Sequence, residues 1–316
     1  MSQKDDNLQR VRRLVSGSNE LFILIDFGST YTKLTAVDCG HPAILGVAQA
    51  PTTVDTNIMI GLDQALSKLQ ASLPGANLAS SRKLACSSAA GGLRMVTIGL
   101  VPELTAEAAR RAALGAGAKL VGALAYKLSP TELSEIMNLK LDIILLAGGT
   151  NGGNEAVILH NASLLARSNL EVPIVLAGNK VVSDQVASTL RGAGKDVRVT
   201  ENVMPEINRL NIEPAREAIR EVFIERIIQA KGLSEAEREI DGILMPTPAA
   251  VLEAAVLLAK GAGGEKGLGE LMVVDVGGAT TDVHSVAKGE PTQPGVIPRG
   301  LPEPYAKRTV EGDLGI

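Results

Sequence analysis

Two segments of the chain place an acidic residue, a glycine turn and a pair of hydroxyl residues in the same order. The first is ILIDFGSTYTKLTAV and the second is MVVDVGGATTDVHSV. In each, an apolar run ends at a carboxylate, Asp26 or Asp275, and Gly28, or Gly277 with Gly278, frees the backbone to approach a ligand closely. Successive turn N–H groups make an anion-binding nest, to which Ser29, Thr30, Thr280 and Thr281 add hydroxyl donors. The carboxylates suit Mg²⁺ held through water, a hard ion that keeps most of its hydration shell. Two such hairpins facing each other across a cleft would clamp the phosphates of a nucleotide from both sides. One strand–glycine–turn–strand is simply what a hairpin looks like. Two copies with the same acidic, glycine and hydroxyl order point to chemistry.

Other candidates are weaker. LAGGTNGGN (146–154) follows a strand and opens a helix, so Gly148, Gly149, Thr150 and Asn151 offer a secondary anion or nucleotide loop. IVLAGNK is a fainter echo in which Lys180 reads as solvated. Cys86 has no histidine near it in sequence and reads as a small core residue. His284, two residues after Asp282, reads as a structural side chain. The two cysteines and three histidines (Cys39, Cys86, His41, His160, His284) match no metal-ligand spacing. No general acid, base or nucleophile stands out.

The composition narrows the function classes. With 31 basic residues against 35 acidic ones, the chain carries no electrostatic footprint for nucleic acid. Aromatics are 2%, without tryptophan, so stacking platforms are absent too. The longest apolar stretch, AAVLEAAVLLA, is too short to span a bilayer and carries Glu253. No secretory signal opens the sequence, and a cytoplasmic protein is expected. A core poor in rings must be filled by Ala, Val, Leu and Ile, which suits parallel sheets under Ala-rich helices.

The elements that must hold the hairpins follow from pattern. Residues 1–20 are polar and read as a flexible leader. LFILIDFG, YTKLTAVD and AILGVAQAP read as three successive antiparallel strands, followed by a helix near 61–73. RKLACSSA and RMVTIGLV read as further strands. A long Ala-rich helix is expected over about 105–128, capped by Thr105 with Glu103 and Glu107 near its positive end. From 140 to 202 the rhythm is βαβαβ, the spacing of parallel crossover units. Residues 213–231 read as a charged amphipathic helix with Ile219, Val222, Phe223 and Ile227 inside, and 247–260 as a buried Ala-rich helix. The tail from 288, rich in Pro and Gly, reads as irregular.

On these motifs the sequence resembles the actin, Hsp70 and sugar-kinase ATPase superfamily. IDFGSTYTK resembles its first phosphate loop, with Ser29 and Lys33 at the phosphate-contacting positions. VVDVGGATTDV resembles the second, with Asp275, Thr280 and Asp282 where Mg²⁺ and the γ-phosphate are organised. MPTPAAVLEAAVLLAKG resembles the helix before that loop, but Met245 stands where an acidic or amide residue positions the attacking water. LAGGTNGGN is similar to the superfamily's adenosine-binding turn, though it precedes the second loop instead of following it. Together with SSAAGGLRM, LAGGTNGGN, MPTPAAV and EGDLGI, the chain from about 20 to 316 is identified as a member of the GlmL/MutL family, accessory proteins of cobalamin-dependent glutamate mutase. That family is unrelated to the mismatch-repair proteins of the same name.

The resemblance implies a ribonuclease-H-like α/β ATPase lobe. Its expected parts are the lobe at 21–135, an inserted parallel βαβαβ subdomain at 136–212, connecting helices with the second hairpin at 213–287, and an irregular tail at 288–316. Mg²⁺–ATP would be held by Asp26, Gly28, Ser29, Thr30 and Lys33 on one side and by Gly277, Gly278, Ala279, Thr280 and Thr281 on the other. Asp26, Asp275 and Asp282 would position Mg²⁺ through water. A nucleotide-driven lobe movement would then reactivate a cobalamin-dependent mutase, with weak ATP hydrolysis at most. A small-molecule kinase of the same fold and a non-hydrolysing scaffold are the rival readings. The second lobe looks incomplete, as in the N-terminal portion of a longer protein. Met272, Val274 and Val276 should then lie exposed and favour self-association.

Overall fold

The computed structural model describes residues 21–53, 56–88, 93–229, 240–278, 280–290, 295 and 300–311. The chain divides into two compact units, one from 1–89 with 228–244, the other from 90–227 with 245–316. Residues 1–20, expected as a leader, lie outside the described residues.

The first unit is one five-stranded sheet. Its strands are β1 (Leu21–Phe27), β2 (Tyr31–Asp38), β3 (Ala43–Pro51), β4 (Arg82–Ser87) and β10 (Gly242–Pro246), with α1 (Ile58–Ser72) between β3 and β4. The spatial order is β10-β4-β1-β2-β3. β1 and β2 are antiparallel, as are β2 and β3, whereas β4 runs parallel to β1. This is the ribonuclease-H-like arrangement that the resemblance implies. Strand alternation buries Ile23, Ile25, Phe27, Leu34 and Ala36, and helical periodicity buries Ile58, Leu62, Ala65 and Leu69. Asn57 starts α1 by accepting from the Met59 N–H.

The second unit holds two sheets. Strands β5 (Arg94–Ile98), β6 (Lys119–Leu124), β7 (Ile143–Leu146), β8 (Ile174–Leu176) and β9 (Val197–Val199) form the first, in the order β6-β5-β7-β8-β9. All its pairings are parallel. Helices α2 (Glu107–Gly115), α3 (Pro130–Asn138), α4 (Ala156–Ala166) and α5 (Ser183–Gly192) connect these strands. Val96, Ile98, Ile144, Leu146, Ile174 and Leu176 pack with Ile158, Leu165, Val186 and Leu190 into one core. Helix α6 (Glu213–Gln229) follows and buries Ile219, Val222 and Phe223; the side chain of Ile227 lies outside the described residues. Helix α7 (Thr247–Lys260) precedes the second sheet, which is β11 (Leu271–Val276), β12 (Thr281–Val286) and β13 (Ala306–Glu311) in that order. Among the described residues no helix is long and apolar enough to cross a membrane.

Three expectations change. The helix expected over 105–128 stops at Gly115, and Lys119–Leu124 is a strand instead. Gly117, at φ 87°, takes the left-handed conformation that ends the helix, and its N–H donates to the Leu114 carbonyl. Thr105 lies in a turn of π-helix and does not cap α2. Its hydroxyl accepts from the N–H groups of Leu100 and Val101. The parallel sheet also begins before residue 136, because β5 pairs with β7 and carries β6 on its other side. Finally, the tail is not irregular throughout, since β13 pairs along the whole of β12. Met272, Val274 and Val276 are exposed as expected, at 67%, 55% and 49%.

The glycine loop after β7 depends on backbone freedom. Gly149 has φ 70°, and a Cβ there would lie 2.3 Å from the Asn154 carbonyl oxygen. Gly152 has φ 76° with nothing within 4 Å of such a Cβ. We expect Gly152→Ala to cost only the left-handed penalty, roughly 1–2 kcal/mol. Gly149→Ala should cost clearly more, because the loop must also move. Denaturant unfolding followed by circular dichroism checks the order, and equal losses would refute the close approach.

Candidate functional site

The two hairpins share one construction. In the first, β1 ends at Phe27, the Gly28 N–H donates to the Tyr31 carbonyl at 3.1 Å, and Asp26 lies opposite Lys33. In the second, β11 ends at Val276, the Gly277 N–H donates to the Thr280 carbonyl at 2.9 Å, and Asp275 lies opposite Asp282. A Cβ would approach the same carbonyl oxygen to 2.7 Å at Gly28 and 3.2 Å at Gly277. Glycine is therefore demanded in the first turn, and the second is tight at the corresponding point. The hydroxyl residues do not correspond in the same way. Ser29 and Thr30 occupy the first turn, whereas Thr280 takes the place of Tyr31 and Thr281 that of Thr32. Ser29, Thr30 and Gly278 are exposed; Ala279 lies outside the described residues.

Asp26 alternates with Ile25 and Phe27, which are buried, and is itself half-buried. Its carboxylate lies 3.7 Å from Lys33 Nζ, and the Cys86 thiol donates to it at 3.6 Å. Cys86 sits there because β4 runs parallel to β1 with Asp26 and Cys86 in register. Thr32 faces the other way, fully buried, and its hydroxyl bonds that of Thr52 at 3.1 Å.

In the second hairpin the charges differ. Asp282 is 5% exposed and accepts from Arg308 Nη2 at 2.9 Å. It was expected to organise hydrated Mg²⁺, but its carboxylate is committed to that buried ion pair. Arg308 Nη1 donates to the carbonyls of Leu114 and Ala118, at the end of α2. Burial pushes the Arg308 guanidinium below its ordinary value, and Asp282 works against that shift. His284, opposite Arg308, is fully buried. Burial, then the Arg308 charge, holds its pKa down, so the ring is neutral, and neither nitrogen has a partner among the described residues. Asp275 shares this sheet face and remains half-buried.

Arg308 was missed in the sequence because it lies beyond a Pro- and Gly-rich stretch. The signal was the alternation of Ala306, Arg308 and Val310 over AKRTVE.

The LAGGTNGGN loop is braced internally. The Gly152 N–H donates to Asn179 Oδ1, the Asn151 N–H to the Pro205 carbonyl and the Gly153 N–H to the Thr150 carbonyl. Asn202 Nδ2 donates to the Gly149 carbonyl and to Asn151 Oδ1. Asn179 and Asn202 are buried, at 0% and 3% exposure. Three of the loop's N–H groups are thus spent on the protein, which weakens it as an anion nest. Lys180 is exposed, and Met245 lies in β10 two residues before α7.

Among the described residues no group of three or more His, Cys, Asp or Glu is placed to hold a metal ion. The first hairpin fits a hydrated cation and phosphate best, with a half-buried carboxylate, an exposed lysine and a glycine turn. In the second, Asp275 fits that role and Asp282 does not.

Comparison with known proteins gives the following. A family model described as MutL protein matches residues 22–316. The chain is 60% identical over 297 residues to "Protein MutL" of Clostridium tetanomorphum, covering 94% of this chain and 64% of that protein. The chain thus spans about two thirds of the length of that relative, a little under it. Among solved structures, nucleotide-free acetone carboxylase aligns at TM-score 0.42 and 16% identity, over 93% of this chain and 48% of that one. The activator of 2-hydroxyisocaproyl-CoA dehydratase from Clostridium difficile, with bound ADPNP, aligns at TM-score 0.19 and 12% identity, over 66% and 97%.

Proposed function

Because this chain belongs to the MutL protein family, we propose that it is a nucleotide-binding accessory protein of a cobalamin-dependent carbon-skeleton mutase of the glutamate mutase type. The observation that carries nucleotide binding is the second copy of the hairpin, with the same register and the same glycine-to-carbonyl turn bond. The mutase as partner rests on the family resemblance carried by SSAAGGLRM and LAGGTNGGN.

In this reading the turn of Gly28, Ser29 and Thr30, with Lys33, binds the β- and γ-phosphates of ATP. On the second hairpin the Gly278 N–H and the Thr280 hydroxyl supply further donors. Asp26 and Asp275 would hold hydrated Mg²⁺, which would supply charge neutralisation at the phosphate oxygens. Arg308 balances the charge of Asp282 beside Asp275, which lessens the repulsion that the second hairpin would exert on phosphate. Cycling of the nucleotide would change affinity for the mutase, so that a damaged cofactor can leave. A kinase reading gains no support from the second hairpin, because the carboxylate after its threonines is the buried partner of Arg308 and cannot serve as a base.

Calorimetry of Mg²⁺–ATP against the chain, with and without glutamate mutase subunits, tests the proposal. Saturable binding that strengthens association with the mutase supports it; no heat with either partner sinks it. A sharper expectation concerns turnover. Met245→Glu should raise ATP hydrolysis several-fold, on the order of 10-fold, by restoring a carboxylate that positions water. A variant that binds ATP without faster phosphate release would place the water-positioning group elsewhere.

A further inference from the structure

A cavity of about 130 Å³ lies within the second unit, among α2, the start of α6 and the segment leading into β13. Arg110, Arg111, Arg216, Lys307 and Arg308 line it, against two carboxylates, Glu107 and Glu303. Two of these cations are accounted for by structure. Arg216 donates to the Gly115 carbonyl and pairs with Glu213, while Arg308 donates to Leu114 and Ala118 and pairs with Asp282. Both cap the negative end of α2.

The other three share two counterions. Arg111 spans Glu107, Glu303 and the Pro302 carbonyl. Arg110 shares Glu107 with it, and Lys307 shares Glu303. Three positive charges therefore meet two negative ones. Donors are in surplus as well. Arg110 spends Nε and Nη2 on Glu107, and its side chain is 39% exposed. Lys307 makes one bond among the described residues, and its side chain is 44% exposed. In the buried wall, Arg308 Nε has no acceptor among the described residues. A buried donor without a partner is ordinarily satisfied by a water or an ion.

We propose that this cavity is a binding site for a small oxyanion, of the phosphate or carboxylate class. Guanidinium forks match the paired oxygens of such groups. One unbalanced charge favours an anion over a neutral guest. The volume is several times the roughly 10–15 Å³ that a single water requires. None of its lining residues belongs to either Asp–Gly turn, and the proposal does not depend on the nucleotide reading.

The test titrates inorganic phosphate against the whole 316-residue chain, followed by phosphorus NMR. The same titration is run on Arg110→Gln/Lys307→Met, whose partly exposed side chains leave the core intact. Saturable binding in the parent, weakened roughly 10-fold or more in the variant, supports the site. Acetate that displaces phosphate assigns the general oxyanion class, and acetate that does not restricts the site to phosphate. Absence of saturable binding, or equal binding by parent and variant (an adventitious ion only), overturns it. If the double variant does not fold, Arg110→Gln alone must still weaken phosphate binding. ATP titrated in parallel should bind parent and variant alike, so a nucleotide site that fails does so independently.

Discussion

Arg308→Met should lower the unfolding free energy by about 3–5 kcal/mol, the cost of stranding one partner of a buried ion pair. Asp282 would be left at 5% exposure without a counterion, and the Leu114 and Ala118 carbonyls would lose a donor at the end of α2. Arg308→Lys should recover only part of the loss, since one ammonium cannot span Asp282 and both carbonyls. Asp282→Leu combined with Arg308→Met should recover more, because neither charge is then buried alone. The chain contains no tryptophan, so the unfolding is best followed by far-ultraviolet circular dichroism. A loss within about 0.5 kcal/mol for Arg308→Met, the size of an ordinary surface substitution, would mean the pair is not formed in solution.

Asp26→Ala has the largest expected effect on binding: Mg²⁺-dependent association with ATP should fall by roughly two orders of magnitude or vanish, while the fold persists. The carboxylate sits half-buried at the end of β1 beside a lysine that is 58% exposed, so its removal opens no apolar cavity and strands no buried charge. The ion pair itself is worth about 0–1 kcal/mol at that exposure. Asp275→Ala should act in the same direction, since the two hairpins share their register. Calorimetry with Mg²⁺–ATP reads the affinity, and a melting curve reads the fold. Unchanged affinity in a folded Asp26→Ala protein would remove the first hairpin from the site.

Both hairpins were legible because their information is local. An apolar run that meets Asp and then Gly fixes where the strand stops, and a four-residue turn then dictates which residues pair. The same reasoning misplaced the hydroxyls, because order along the chain was compared without the register that puts Thr280 opposite Gly277 instead of inside the turn. Arg308 escaped for the opposite reason. Its partner is 26 residues away, and nothing within AKRTVE says which strand it will join. The overlong helix came from weighing alanine propensity above the Gly115–Ala116–Gly117 stop signal, although Gly117 alone adopts the left-handed turn there. The parallel sheet was extended at its β5 and β6 edge by pairings that strand–helix rhythm does not reveal.

The discontinuity of the first unit bears on how the chain is made. Lys83 and Asp241 exchange backbone and side-chain bonds across 158 positions, which sets β10 beside β4 at the edge of that sheet. On a ribosome, β1 to β4 emerge early but must wait for β10 before that edge is satisfied. All five strands of the parallel sheet, β5 to β9, have been synthesised by then, so that sheet can begin to assemble before the edge is closed. Prior folding of the intervening segment also shortens the effective loop that β10 must close, so the entropic penalty of that closure is partly discharged beforehand. Translation order thus favours assembly of the parallel sheet before the edge of the first sheet is closed.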